Sequence, residues 1–445
     1  MALTGLDIYK LLPKTNCKDC GFSTCLAFAM ALAQKRVSLD KCPHVTTAAK
    51  EALESASWPP VKLVTIGAGD KKLLMGNETV MYRHEQKFYN PAGIGLLIED
   101  TLTENEIDEK ITAINGLTFE RVGQIIAPDL VCLKNRSGNK DSFAKLVSKA
   151  VSGTKLNIAL QSQNVEALAE ALKISKDRRP LIIWDGANPD ESVKLAKANK
   201  VPLAVICGSV EEAGEVTGKV KRAGAEEIVI GLKDKSTADT IQDFTSIRRT
   251  ALKKNERSLG YPLLAFTNET EPYAELAEAV SYVLKYASLV IVKNTDKDFI
   301  LPLLVARQDI YSDPQKPVQV EPKVYEIGKV GKASPVIVTT NFSITYFTVA
   351  GEVEASKVPT YIVCCDSEGM SVLTAWAAEK FTPSSIDETI KSLGVERLVG
   401  HKTLIIPGYV SVMSGKLEEM TGWKVSVGPR EASGIPAYLR SLKIQ

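Results

Sequence analysis

Four cysteines within 26 residues, Cys17, Cys20, Cys25 and Cys42, are the side chains whose type and spacing most directly imply chemistry. The pattern C-x2-C-x4-C-x16-C-P lets two thiolates meet one centre from a tight turn, a third from the start of a helix and a fourth from beyond that helix. Four soft sulfur donors select zinc or an iron–sulfur cluster. A structural zinc site usually carries two C-x2-C-like knuckles. Three cysteines close together, with a distant fourth before Pro43, follow ferredoxin-type ligation instead. A 4Fe–4S cluster is therefore the expectation, and zinc or a coincidence of spacing are the competing readings. Lys18, Asp19 and Gly21 let the backbone turn closely round inorganic sulfide and aim N–H groups at it. From Ser23 to Lys35, Leu26, Met30 and Ala33 with Phe28 and Leu32 read as a short helix whose apolar face covers the cluster. His44 reads as a surface histidine, not as a ligand in place of Cys42.

The elements that hold such a centre must come from a chain of 445 residues, long enough for two or three domains with cores of their own. Hydrophobic content of 44 % and charged content of 24 % are those of an ordinary globular protein. A formal charge of +2, with Lys and Arg spread among acidic residues, gives no reason to expect nucleic acid. No charged-then-apolar leader reads at Met1-Ala2-Leu3, and no apolar run approaches the roughly 20 residues of a membrane helix, so the expectation is a cytoplasmic protein. Cys132, Cys207, Cys364 and Cys365 lie in apolar, strand-like runs and read as buried reduced thiols.

The domain reading is as follows. Residues 1–57 form the cluster domain, too small to be stable without its metal. Residues 58–92 form a linker with a β-hairpin: Trp58-Pro59-Pro60 stops the preceding helix, Val61 to Ile66 is one strand, Gly67-Ala68-Gly69-Asp70 the turn and Thr79 to Tyr82 the second strand. This segment is expected to tether the cluster domain and let it move. Residues 93–310 carry eight short apolar runs, beginning at Gly95, Leu130, Leu156, Leu181, Leu203, Ile228, Leu263 and Leu289, alternating with amphipathic helical stretches. Eight such units predict a (β/α)8 TIM barrel, with an open doubly wound sheet as the alternative. Its working face would carry Glu99-Asp100, Asn135, Gln161-Ser162, Asp185 to Asn188, Gly208-Ser209, Lys233-Asp234, Thr267-Asn268-Glu269 and Lys293-Asn294. No metal triad, nucleophile–base pair or phosphate loop can be read among them, which favours a structural or partner-binding barrel. Residues 311–334, with Pro314, Pro317 and Pro322, read as an extended linker. Residues 335–445 predict a parallel, Rossmann-like α/β domain with strands at Val336–Thr339, Tyr361–Cys365, Thr403–Ile406 and Lys424–Val427. The chain as a whole is a multidomain α/β protein.

The carboxyl ends of these last strands share small residues and hydroxyls: Thr339 to Ser343, Asp366 to Ser371, Pro407-Gly408-Tyr409 and Gly428 to Gly434. Parallel strands bring them to one edge, where close backbone approach and helix N-termini suit a large, flat, hydrogen-bonding ligand. Ordinary β–α turns need the same residues, so the rim is ambiguous taken alone.

The spacing of Cys17, Cys20, Cys25 and Cys42, the barrel, and the carboxy-terminal α/β domain together resemble the large (gamma) subunit family of the corrinoid iron–sulfur proteins of the reductive acetyl-CoA (Wood–Ljungdahl) pathway, over essentially the whole chain. The resemblance implies a corrinoid, a cobamide held base-off, in the carboxy-terminal domain. It also implies a heterodimer with a small barrel subunit, and a methyl group taken from methyltetrahydrofolate by a separate methyltransferase and delivered to acetyl-CoA synthase/carbon monoxide dehydrogenase. Co(I) would accept the methyl group and methyl-Co(III) would deliver it. The cluster, fed by a low-potential electron donor, would return accidentally formed Co(II) to Co(I). Corrinoid contacts are expected from Thr340, Ser343, Tyr346, Gly369, Met370, Ser371, Val372, Leu373, Thr374, Pro407, Gly408, Ala432 and Gly434, with Thr374 facing the lower side of cobalt without a strong bond. No Asp-x-His-x-x-Gly motif exists: His44, His84 and His401 lie outside any such pattern, and His401 reads as a loop residue. This agrees with histidine-free cobalt. A ferredoxin-like electron-transfer subunit without corrinoid, and a pterin-dependent methyltransferase using Asp185 and Asn268 of the barrel, are the alternatives.

Overall fold

The computed structural model of the chain describes residues 5–33, 37, 39–46, 59–69, 71–186, 188–233 and 235–442. Trp58, Asp70, Ala187, Asp234 and the end of the helix expected to reach Lys35 lie outside the described residues. Two compact units emerge, one of residues 1–117 and 127–311, the other of residues 118–126 and 312–445.

In the first unit, β1 (Val64–Ile66) pairs antiparallel with β2 (Leu73–Met75). Gly67 and Gly69, at φ +89° and +71°, reverse the chain within a few residues, so the strand expected at Thr79–Tyr82 forms instead at Leu73–Met75. The barrel itself starts with β3 (Gly93–Glu99). A short hairpin, β4 (Phe119–Arg121) and β5 (Gln124–Ile126), which belongs to the second unit, follows in sequence. Then come β6 (Leu130–Lys134), β7 (Asn157–Ser162), β8 (Leu181–Trp184), β9 (Leu203–Cys207), β10 (Ile228–Leu232), β11 (Leu263–Phe266) and β12 (Ala287–Val292). β3 and β6 to β12 close into one parallel barrel, in which β12 pairs with β3. All eight expected runs are strands of it.

Alternation sets the barrel interior. Leu130 and Cys132, Ala159, Leu181 and Ile183, Ala204, Val229, Leu264, Leu289 and Ile291 pack into one fully buried cluster. Val64, Ile66, Leu73 and Met75 join the same cluster, so β1 and β2 complete the barrel core instead of forming a free tether. Most of the barrel helices start on side chains that accept their first free N–H groups: Thr103 in a capping box, then Asn139, Asn164, Ser209, Ser236 and Glu271.

The second unit is a five-stranded sheet with β13 (Val324–Ile327), β14 (Val336–Thr340), β15 (Thr360–Cys365), β16 (Thr403–Ile406) and β17 (Lys424–Val427) in the order β13-β15-β14-β16-β17. The last four are parallel; β13 runs antiparallel at the edge. β13 lies inside the stretch expected to be an extended linker, which corrects that reading for residues 324–327. Alternate residues face opposite layers. Val336, Val338, Val363, Cys365, Leu404 and Ile406 pack with Phe381 and Trp423. Ile337, Ile362, Cys364 and Ile405 pack with Tyr346, Val353 and Leu439. A sheet covered on both faces needs near-continuous apolar strands, which is how these strands read. Among the described residues no helix is long and apolar enough to cross a membrane.

Candidate functional site

All eight cysteines are free thiols. Cys25 and Cys42 are buried in an apolar cluster with Ile8, Leu12, Phe28 and Ala29; Cys20 and Phe22 pack against it, and Cys17 is exposed. The helix Cys25–Ala33 presents Cys25, Phe28 and Ala29 to this cluster, whereas Leu26 and Met30, expected on the same face, are exposed. The turn before it is held by Asn16, which sequence reasoning passed over. Its carboxamide oxygen accepts from Cys25 N–H at 2.8 Å and its own N–H points at Cys25 Sγ at 3.4 Å. Asn16, Lys18 and Gly21 take left-handed φ of +48°, +69° and +84°, and Gly21 N–H donates to Lys18 O at 2.8 Å. A left-handed non-glycine residue costs about 1–3 kcal/mol and persists where its surroundings impose it. The imposition here is a loop folded round sulfur. His44 Nε2 bonds Asp19 Oδ2 at 2.7 Å, and this bond, then one with Cys17, holds the Asp19 carboxyl below its ordinary value. The ligand atoms of Cys17, Asp19 and His44 lie within 4.8 Å of one another, so a carboxylate and an imidazole stand beside the thiols at this corner. Four thiols, three of them sharing one apolar cover and one reached by a backbone N–H, fit an iron–sulfur cluster.

The other four cysteines are buried as expected. Burial pushes the thiols of Cys132, Cys207 and Cys365 up to about 12, and that of Cys364 up as well, which leaves them inert at neutral pH.

At the carboxyl edge of β14, β16 and β17 lies an apolar cavity of about 250 Å³. Thr339, Ile344, Val349, Val372, Pro407, Ala432 and Tyr438 are among its walls. The hydroxyls of Thr339 and Thr340 are buried without a partner. An unanswered buried hydroxyl costs about 1–3 kcal/mol; Thr339 lines the cavity, so its hydroxyl marks a place for a ligand's polar group, whereas Thr340, the next residue of the strand, faces the opposite layer. Around the cavity, Ile344, Leu373, Tyr409 and Val412 expose large apolar surface. Gly408 has no room for a Cβ, which would meet Gly428 O at 2.6 Å and Arg430 N at 2.8 Å; Gly434 is closed in the same way by Pro429.

Val372, Pro407 and Ala432 of the expected contacts line this cavity. Ser371 and Thr374, at the start of the short helix Val372–Ala377, bond each other at 2.9 Å. Gly369, at φ +73°, is fixed by its N–H donating to Asn341 Oδ1 at 3.1 Å, and Met370 packs on the core layer below. Asn341, buried and outside the expected set, organises this loop, since its oxygen also accepts from the N–H and hydroxyl of Ser367. Ser343 and Tyr346 turn elsewhere: Ser343 Oγ donates to Val318 O at 2.6 Å, and the Tyr346 ring packs on Tyr325 with centroids 4.3 Å apart. Among the described residues no histidine lines the cavity. His84 stacks on Tyr82, and His401 bonds Ser334 O and Thr403 N–H.

The barrel mouth is mostly occupied with itself. Asp100 accepts from Arg136 and Ser137, Asn135 donates to Ser162, Ser209 caps a helix, and Lys293 Nζ donates to Asn268 O and Glu269 O. Asp185 takes one bond from Gln161 at 3.1 Å, and its second oxygen is buried without a partner.

Comparison with known proteins gives a consistent picture. The family described as the CO dehydrogenase/acetyl-CoA synthase delta subunit matches residues 63–439, and a putative Fe-S cluster family matches residues 12–44. The chain is 46 % identical over 99 % of its length to the corrinoid/iron-sulfur protein large subunit of Moorella thermoacetica, covering 99 % of that protein. It is 35 % identical to the acetyl-CoA decarbonylase/synthase complex subunit gamma of Methanothermobacter thermautotrophicus, again covering 99 % of each. The corresponding subunit of Methanocaldococcus jannaschii is 33 % identical, over 99 % of this chain and 96 % of that one.

Proposed function

The chain belongs to the large-subunit family of the corrinoid/iron-sulfur proteins of the acetyl-CoA pathway, and from that membership we propose that it is a methyl carrier. In this reading Cys17, Cys20, Cys25 and Cys42 hold a 4Fe–4S cluster, and the Rossmann-like carboxy-terminal domain holds a base-off corrinoid at the rim round the apolar cavity. A small subunit completes a heterodimer. The methyl group comes from methyltetrahydrofolate through a methyltransferase and goes to acetyl-CoA synthase. The corrinoid, when bound, supplies a cobalt nucleophile able to take and release a methyl group, and the cluster supplies single electrons that restore it.

The chain's own residues supply the rest. The exposed Ile344, Leu373 and Tyr409 offer apolar surface to a flat ring and keep water from it, and Thr339 offers a hydroxyl to a polar group. Thr374 is already committed to Ser371, so its hydroxyl would be a weak donor to a metal held at this rim. Without a histidine among the lining residues, no imidazole would be offered to such a metal. The observation that carries the proposal is the combination, on one chain, of a four-cysteine loop and a histidine-free apolar rim with the orphaned hydroxyl of Thr339. The test is an anaerobic preparation analysed for metals and visible absorption. About four iron atoms and one cobalt per chain with corrin bands are expected. Zinc alone, or iron without cobalt in a preparation supplied with cobamide, would sink the proposal.

A further inference from the structure

Among the described residues one group of metal-ligating side chains draws three ligand atoms together, and it stands at the cysteine loop: Cys17 Sγ, a carboxylate oxygen of Asp19 and a ring nitrogen of His44, all within 4.8 Å of one another. All three side chains are exposed. Cys25 and Cys42 are placed differently, buried with Ile8, Leu12, Phe28 and Ala29 in a cluster that includes no carboxylate. The corner of the loop most open to water is thus the one with a hard ligand beside its thiol. Asp19 follows Cys17 by two residues on the same turn, the Cys17 thiol bonds its carboxyl, and His44 Nε2 bonds its Oδ2 at 2.7 Å. Bonds of about 2.0–2.3 Å from a metal to oxygen or sulfur put two ligands of one ion no more than about 4.5 Å apart. A modest rotation of the Asp19 side chain therefore covers the Cys17 position, and iron accepts carboxylate as well as thiolate.

We propose that Asp19 is a reserve ligand for the iron at the Cys17 corner: where the thiolate is withdrawn, the carboxylate takes its place and the cluster keeps its fourth iron. The inference rests on the reading that the four cysteines hold a 4Fe–4S cluster, and adds Asp19 to the residues able to hold it. The step is a ligand exchange. The Fe–S bond to Cys17 breaks, the sulfur keeping its electron pair and taking a proton from water, and an Fe–O bond forms with a lone pair of the Asp19 carboxylate; no iron or sulfide changes oxidation state.

The experiment compares the full-length protein with Cys17→Ala, with Cys17→Ala/Asp19→Asn combined, and with Cys25→Ala, each purified anaerobically in buffer free of added thiol, which would itself supply a ligand. Iron per chain is measured, and electron paramagnetic resonance is recorded after mild oxidation, when a three-iron cluster is paramagnetic and a four-iron cluster is silent. Cys17→Ala should keep about four irons and stay silent, whereas the double variant should fall to about three and show the three-iron signal. Cys25→Ala, with no carboxylate in its apolar surroundings, should lose iron as the double variant does. Because Cys17 is exposed, its loss leaves that apolar cover in place. Loss of iron in Cys17→Ala itself overturns the reserve ligand, since Asp19 then fails to hold the metal. Full iron in the double variant or in Cys25→Ala overturns it as well, because water or another group must then fill the vacant position. If the unsubstituted protein carries no iron, the cluster reading itself is what has failed.

Discussion

At the scale of single residues the most informative atom is the hydroxyl of Thr339, buried and unanswered beneath the rim. Valine has nearly the shape of threonine but nothing to leave unpaired. Thr339→Val should therefore stabilise the cobalt-free protein by about 1 kcal/mol, because an unmet buried polar group is removed. The same variant should retain less corrinoid through gel filtration if the ligand answers that hydroxyl. A variant that is no more stable without cobalt and equally well loaded with it would mean the hydroxyl has no such role. Tyr346 makes a separate prediction. Burial first, then the neighbouring Cys364, pushes its phenol up to about 12 in the folded chain, against 10 when exposed. The folded state thus holds a proton that the unfolded state gives up. The stability this contributes is complete below pH 10 and is lost as pH rises towards about 12. Thermal unfolding of the protein and of Tyr346→Phe should differ by a constant amount below pH 10, and above it the unsubstituted protein should lose stability relative to the variant, which has no phenol to ionise.

At the scale of elements, much was legible. Eight apolar runs at regular spacing announced the barrel, because each parallel strand is buried on both sides and must be apolar along its length. The cysteine loop was legible because ligand spacing is a local constraint. The hairpin of β4 and β5 was not. Its two-residue turn is Val122-Gly123, both at positive φ, where a sequence reader looks for Asn-Gly or Asp-Gly. Its strands are three residues each and largely solvent-facing, so no alternation betrays them. What fixes it is tertiary: Val122 packs on the Tyr346 layer, Gly123 sits against the Tyr325 hydroxyl, and Lys323 Nζ donates to Gly123 O at 3.4 Å. The cavity was equally hidden, since Ile344, Thr345 and Tyr438 meet Thr339 only once the helices dock. A Cβ on Gly123 would approach the Tyr325 oxygen to 2.5 Å, and φ of +69° disfavours any branched residue. Gly123→Val should cost the carboxy-terminal unit about 2 kcal/mol or more. Denaturant unfolding followed near Trp376 and Trp423 reads that unit, and an unchanged midpoint would mean the hairpin is not fixed there.

At the scale of the molecule, the two units are joined by three chain crossings, at 117–118, 126–127 and 311–312, and β13 leaves only residues 312–323 of the expected linker before the sheet begins. The chain therefore passes between the units at three places, not through one proline-bearing stretch. The division of labour between the two ends of the chain then has a sharp consequence. In the proposed cycle the cluster restores the reactive cobalt state and takes no part in the displacement at carbon. Cys42→Ala should strip iron and loosen residues 5–46, whose small apolar core includes Cys42 itself, while the barrel and the carboxy-terminal sheet keep separate cores. Loaded with corrinoid and reduced chemically, this variant should accept a methyl group at close to the normal rate; offered only a protein electron donor, it should stay inactive. Were the chemically reduced variant slower by 100-fold or more, about 2.7 kcal/mol of barrier height would have to be assigned to the cluster loop. The cysteines would then belong to the methyl-transfer step itself, and the separation of electron supply from methyl carriage would have to be given up.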